Sequence, residues 1–596
     1  MDPRDSPRGP LHAQIRRFAM KDKKSNIFDK MTQNSKYSIR KLDHACRDAG
    51  LVNRSLLMDI LMDNSSTEYG EKYHFSDIRN ADEYREKVPL TSYEDYEPYI
   101  DRMVNNNETN LITSYPVVYY ASTSGTSGSP KKIPVTDRGL AILQDYIGPL
   151  SKAITAEYYQ NTMDTLPPEG KILGIFSMQR EDLPCGVPFG AISAVCFPGG
   201  ETNDDSLKDL FSTPFEVLRV SQNTDLKYLH ALYALKDESI SSIFAPYISA
   251  IWDLMNYIHK EWRSLVNDIY NGVIPEGISM PQELRKSLAS NLKPDPARAG
   301  KLEAEFRKGF DKTIMTRIWP NLSVIVSIWA GNFYSYARKL QTYSGRSMPY
   351  YTLSYVSSEG LFAAARHPFD QFYIMAPSSC FFEFIPDDPQ AGQDDSEQEG
   401  NPKTLLIDEL EQGKSYELVI TNQSGFYRYR MGDVIKVMGF YNESPMICFK
   451  YRKNNIVSVA GEKFTEDHLL TAIKEFERHS GEKIVDFSMY ADKESEPGRY
   501  VILMEPEKKI PKEKYERYAN LMQNELARAS TSYAHYVIGG NMGVPKLVFL
   551  QKETYSLYRE LKMFKQGISE NQLKPVRVLR TEEQKQFFQK LEEPLQ

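Results

Sequence analysis

The stretch Leu322-Ser-Val-Ile-Val-Ser-Ile-Trp329 constrains the fold more than any other part of the chain. As an extended strand it presents apolar side chains on both faces, and a strand of that kind needs a covering layer above and below. It therefore reads as a strand covered on both faces. Residues 247–271 read as an amphipathic helix. There Ile251, Leu254, Met255, Ile258, Trp262, Leu265 and Ile269 recur at the helical period and mark one apolar stripe, which reads as core packing. Strand-like runs at 350–355, 380–385, 416–421 and 434–440 follow, each bounded by turn residues. Strands and helices alternate, which predicts a mixed α/β main domain.

Residues 1–30 are polar and read as a flexible N-terminal tail. Apolar residues at helical spacing then run from Ile39 to Met62, interrupted at Gly50. Residues 386–403 are rich in Asp, Gln, Gly and Pro and read as a solvated loop inside the domain. After Arg452 the pattern changes. Residues 484–490 and 499–504 read as a hairpin, followed by a long helix from about Lys512, a strand over 546–550 and a helix over 554–564. This divides the chain into a large domain over 31–452 and a smaller α+β domain over 453–596.

Charge and composition exclude several classes of function. The 73 Lys and Arg against 80 Asp and Glu give a net charge of −7, which offers no electrostatic reason to bind nucleic acid. Mean hydropathy is −0.50, and no apolar run reaches the ~18 residues of a membrane-spanning helix. The N-terminus carries charge where a signal peptide would be apolar. Five cysteines, none in a CxxC pair, read as free thiols in a reducing cytoplasm. The nine histidines show no metal-ligand spacing, and His367 reads as structural.

Five segments could carry chemistry. A strand-like run ending at Tyr120 leads into Ser122-Thr-Ser-Gly-Thr-Ser-Gly-Ser-Pro-Lys-Lys132, then a second strand-like piece. Glycines and hydroxyls in such a loop can surround a phosphate, with Lys131 or Lys132 adding charge, although a plain hairpin connection has the same composition. It is not a Walker loop. Tyr355-Val-Ser-Ser-Glu359 places a carboxylate beside hydroxyls at a strand end, as a Mg²⁺ site with phosphate oxygens or as a simple turn. Tyr427-Arg-Tyr-Arg-Met-Gly-Asp433 offers an aspartate to two ribose hydroxyls, or a tight β-turn. Phe449-Lys-Tyr-Arg452 lies at the domain boundary, and Lys574 stands near the C-terminus.

The order of these segments resembles the adenylate-forming enzymes, and within them the Gretchen Hagen 3 family of acyl-acid amido synthetases. The likeness runs from about residue 40 to 578 and includes Phe244-Ala-Pro, Trp319-Pro-Asn, Tyr343-Ser-Gly and Ser458-Val-Ala-Gly-Glu-Lys-Phe-Thr-Glu466. It implies a large mixed α/β N-terminal adenylate-forming domain and a smaller, mobile α+β C-terminal domain. By the same resemblance Thr123, Ser124, Gly125, Thr126 and Ser127 form the phosphate loop, and Gly331 lies in the adenine-side loop. Tyr355 and Ser358 belong to the second nucleotide motif, Glu359 contacts Mg²⁺, and Asp433 binds ribose. Phe449 and Arg452 are nucleotide and hinge contacts, and Lys574 is the lysine that the mobile domain brings to the adenylation step.

The implied activity is that of an ATP-dependent ligase. It adenylates a small carboxylic acid, then passes the acyl group to an amine, expected to be an amino acid. Its expected form is a cytoplasmic monomer that needs ATP and Mg²⁺ and engages neither nucleic acid nor membrane. Two other readings compete: an acyl-CoA ligase with a thiol in the second step, and a nucleotide-binding scaffold without catalysis.

Overall fold

The computed structural model describes residues 37–122, 131–196, 210–220, 224–311, 313–330, 333–352, 354–387, 402–453, 457–459, 462, 464–566 and 574–592. The two-faced strand lies where its composition demands. Val324–Ile328 sits inside a four-stranded sheet between Ser242–Tyr247 and Tyr350–Tyr351, with Ile172–Gly174 at the far edge. All three pairings are parallel. Alternate side chains enter different cores. Ile243 and Ile325 pack with Ile251, Leu254, Ile258 and Leu265 of the helix Ile248–Asn271. Phe244, Val324 and Val326 pack on the other face with Ile147, Leu150 and Ile154 of the helix Asp137–Met163. Each such fully buried aliphatic side chain contributes about 1.5–3 kcal/mol.

The helix Asp137–Met163 starts at Thr136, whose hydroxyl accepts the Gly139 amide at 3.2 Å. It runs on through Pro149, well past the Tyr146 region to which its apolar pattern points. Proline lacks the amide that would bond the Asp145 carbonyl. That carbonyl instead accepts the Ser38 hydroxyl at 3.0 Å.

A second sheet of eight strands is antiparallel throughout, in the order 405–406, 381–386, 415–421, 429–441, 444–452, 373–375, 360–364 and 355–357. A third, small sheet holds the hairpin of Val117–Ser122 and Lys132–Thr136, which flanks the Ser/Thr/Gly loop. From residue 457 onward the chain builds its own apolar core, centred on Phe464, Leu469, Phe476, Ile502 and Leu526. Its three-stranded sheet pairs Ile484–Asp492 antiparallel and Lys546–Phe549 parallel to Arg499–Pro506. No helix of the described residues is long and apolar enough to cross a membrane.

Three expected boundaries move. The interruption assigned to Gly50 falls at Cys46–Asp48, a 3-10 turn, while Gly50 sits inside the helix Ala49–Asp63. The expected strand at 350–355 is two strands in different sheets, because Tyr350–Tyr351 pairs with Val324–Ile328 while Tyr355–Ser357 pairs with Gly360–Ala364. The Arg-Met-Gly-Asp segment is no simple turn but lies inside the long strand Tyr429–Tyr441. Most of the acidic 386–403 loop and the N-terminal tail lie outside the described residues.

Candidate functional site

Tyr355, Ser358, Glu359, Asp433, Phe449 and Arg452 come together on the eight-stranded sheet, where side chains of its edge hairpin 355–364 reach the central strands 429–441 and 444–452. Asp433 and Arg452 are direct cross-strand partners. Their side chains meet with Arg452 Nε donating to Asp433 Oδ1 at 2.5 Å. The Tyr355 hydroxyl donates to the other carboxylate oxygen at 2.7 Å. Phe449 lies edge-on to the Tyr355 ring, 6.3 Å between centroids, and is itself 41% exposed.

The strand geometry explains why Asp433 points inward. Four steps from Arg430 to Val434 oppose only two from Val419 to Glu417, so the strand bulges there. Gly432 takes a φ of +67°, a conformation that glycine adopts without steric cost. The bulge leaves Asp433 buried beside the site.

Ser358 and Glu359 form the two-residue tip of a hairpin, since Ser357 pairs with Gly360. Three bonds hold the tip. Ser357 Oγ donates to Glu359 Oε2 at 2.6 Å and accepts the Glu359 amide at 3.1 Å. Asn422 Nδ2 donates to the Glu359 carbonyl at 2.8 Å. Ser358 Oγ donates to the Ser122 carbonyl at 3.1 Å, which fastens the hairpin to the residue where the Ser/Thr/Gly loop begins. Among the described residues Glu359 Oε1 has no hydrogen-bond partner.

Charge is balanced within the cluster. Burial opposes the Arg452 charge, but Asp433 and, farther off, Glu359 outweigh it and push its pKa up. Burial and the Asp433 carboxylate push the Tyr355 phenol well above its ordinary value, so it stays a hydrogen-bond donor. Behind the cluster, Glu417 is buried between Arg430 at 2.8 Å and Lys453 at 2.7 Å. Burial raises its pKa, but these two cations hold it below the usual carboxylate range.

Thr123, Ser124, Gly125, Thr126, Ser127 and Gly331 lie outside the described residues. Their flanks are informative. Lys131, at the far end of the loop, lies 4.4 Å over the Tyr93 ring and 3.5 Å from Glu94. On the C-terminal side of Gly331, Phe333 stacks on Tyr247 with centroids 4.7 Å apart. Lys574 is exposed, and among the described residues no hydrogen bond or ion pair joins it to the cluster.

Sequence reasoning missed Asn422 and Tyr429. Asn422 also accepts the Ser424 and Phe426 amides, so it shapes its own turn while it holds the hairpin tip. The turn-like Asn-Gln-Ser-Gly run could have marked it. Tyr429 shares the buried face of its strand with Met431 and Asp433, and Glu359 is near enough to help raise its phenol pKa, after burial. Its signal was the two-residue period.

A cavity of about 770 Å³ lies elsewhere, at the opposite end of the parallel sheet. Ile172, Ser242 and Val324, which line it, are the first residues of their strands. Ligands of open parallel sheets bind outside the carboxyl ends. The cluster described above follows Tyr351, on that carboxyl side.

Comparison with known proteins gives three family matches along the chain: the GH3 family N-terminal domain over residues 38–349, its central domain over 373–452 and its C-terminal domain over 467–583. A jasmonoyl–L-amino acid synthetase, GH3.5 of Oryza sativa subsp. japonica, is 29% identical over 491 residues, covering 78% of this chain and 82% of its own. An indole-3-acetic acid-amido synthetase, GH3.5 of Arabidopsis thaliana, is 27% identical over 507 residues, covering 82% of each. Among solved structures, the acyl acid amido synthetase AtGH3.15 in complex with 2,4-DB matches with a TM-score of 0.80 at 24% identity, covering 96% of this chain and 98% of its own.

Proposed function

The chain belongs to the GH3 family, and we propose on that premise that it is an ATP-dependent acid–amino acid ligase of the adenylate-forming kind. In the first half-reaction a carboxylate oxygen of the acid attacks the α-phosphorus of ATP. The bond to the β-phosphate oxygen breaks, giving acyl-AMP and pyrophosphate. In the second, the amino nitrogen of an amino acid attacks the acyl carbon, AMP leaves with the bonding electrons, and the nitrogen loses a proton to solvent.

The observation that carries this reading is the contact chain Tyr355–Asp433–Arg452 beside the hairpin tip of Glu359. Asp433 presents a carboxylate to the ribose hydroxyls, and Arg452 and Tyr355 hold it in place. Phe449, edge-on to Tyr355, offers an apolar wall to the nucleotide. Thr123 to Ser127 are proposed as the phosphate loop, and the Ser358 bond to the Ser122 carbonyl, the described residue before them, supports that reading. Glu359 would hold a Mg²⁺ that accompanies ATP, since magnesium pairs one or two carboxylates with phosphate oxygens. Bound there, the ion would supply positive charge to the phosphates, and Lys574 would add the same from the small domain. Residues 31–452 bind ATP and acid, and residues 453–596 serve as a lid that turns about 452–455. Gly331 lies on the adenine side. Five unpaired thiols favour a cytoplasmic setting, where the enzyme acts as a monomer.

An acid-dependent screen of pyrophosphate release, followed by mass spectrometry with pooled amino acids, tests this reading. An amide product is the expected outcome. Release that proceeds only with coenzyme A as acceptor makes the protein a thioester ligase, and no release with any acid makes it a scaffold.

A further inference from the structure

The C-terminal domain meets the rest of the chain along the helix Tyr334–Ser344. The centre of the contact is Asp486, buried on the first strand of the small sheet. Arg577, from the same domain, pairs with its Oδ1 and also donates to the Phe487 carbonyl at 2.8 Å. From the large domain the Tyr336 hydroxyl donates to Asp486 Oδ2 at 2.6 Å. Arg559 links both sides, donating to the Tyr336 oxygen at 3.1 Å and lying 3.4 Å from Asp253 of the helix Ile248–Asn271. Lys339 Nζ donates to the Val485 carbonyl at 2.6 Å.

These bonds divide unevenly between domains. The strong charge pair, Asp486 with Arg577, lies wholly within the C-terminal domain, so separation leaves neither charge alone. Burial opposes the Asp486 charge, yet Arg577 and Arg559 of its own domain, with a smaller contribution from the Tyr336 hydroxyl, outweigh it and hold its carboxyl low. At the centre of the contact, what spans the two domains is the Tyr336 hydroxyl, the Lys339 ammonium on a backbone carbonyl and Arg559 with Asp253, while Lys260 with Glu553 and Lys450 with Asp467 pair nearer the rim. Stranding a buried charge costs several kcal/mol, whereas losing a hydroxyl bond that water can replace costs about 1. Lys339 even regains water on separation, since burial currently pushes its pKa down.

We propose that Tyr336, Lys339 and Arg559 are positioning residues that form a releasable dock, holding the C-terminal domain at one of the two stations it occupies between the half-reactions. This rests on the ligase reading for its purpose, but the dock itself is testable without any substrate.

Spin labels at Met62→Cys and Ile538→Cys, positions 75% and 83% exposed on the two domains, read the distance between them by pulsed electron resonance in the full chain. The half-buried thiols Cys185 and Cys448 are changed to serine beforehand. The unaltered dock gives one dominant distance. Tyr336→Phe, which removes only the hydroxyl, raises the ratio of undocked to docked molecules about fivefold. Arg559→Gln moves it the same way. Lys260→Ala, at the exposed rim pair with Glu553, leaves the ratio unchanged. Where acid and amine are known, Tyr336→Phe also changes the ratio of pyrophosphate release to amide formation at an unchanged KM for ATP. Identical distances in Tyr336→Phe and the parent, or an equal shift in Lys260→Ala, overturn the dock. A silent pyrophosphate screen with shifted distances overturns the ligase reading alone.

Discussion

Asp433 is the residue on which the site turns, because two donors spend themselves on it before any ligand arrives. Asp433→Asn keeps the shape and removes the charge. Arg452 then loses its partner, and the ribose loses a charged acceptor worth roughly 1.5–3 kcal/mol. The KM for ATP is expected to rise about tenfold to a hundredfold, as read from initial rates of pyrophosphate release. Lys574 is different, since no described contact holds it in the ground state. Lys574→Ala should lower the adenylation rate about a hundredfold or more while the Kd for ATP, from equilibrium titration, stays within about threefold. Equal losses of rate and binding would argue against a role confined to the transition state.

At the scale of single elements, the helix Asp137–Met163 depends on its first turn. Thr136 is fully buried, accepts the Gly139 amide and donates to the Gln423 carbonyl at 3.3 Å. Thr136→Ala should cost about 1–2 kcal/mol in urea denaturation, with an unchanged m-value. This cap was readable in the sequence because a threonine before an aspartate is a local signal. So was the two-faced strand Val324–Ile328, whose apolar side chains declare both neighbours. The Asp433 bulge was not readable. Nothing local distinguishes Met-Gly-Asp in a turn from Met-Gly-Asp in a strand, and the outcome is set by pairing with Glu417–Val419, which the sequence does not reveal. The hairpin tip of Ser358 and Glu359 was half readable: the strand-end position was plain, but the Asn422 bond that fixes it comes from 63 residues away.

Over the whole molecule, stability should depend on pH through His230. It is buried on the helix Leu226–Lys236 against the Thr213 hydroxyl at 3.1 Å, and burial pushes its pKa down to about 4. The folded chain keeps this imidazole neutral where the unfolded chain, titrating near 6.5, takes up a proton. Its contribution is therefore complete above about pH 6.5 and lost as the pH falls toward 4, by roughly 3 kcal/mol in all. Urea midpoints measured between pH 7 and 5 should decline, and His230→Gln should flatten that slope. One last property belongs to the join between the two large sheets. Tyr351 ends in one and Tyr355 begins in the other, so four residue steps, at most about 14 Å, tether them. That tether caps how far the parallel sheet and the eight-stranded sheet can part on the side where Tyr355 meets Asp433.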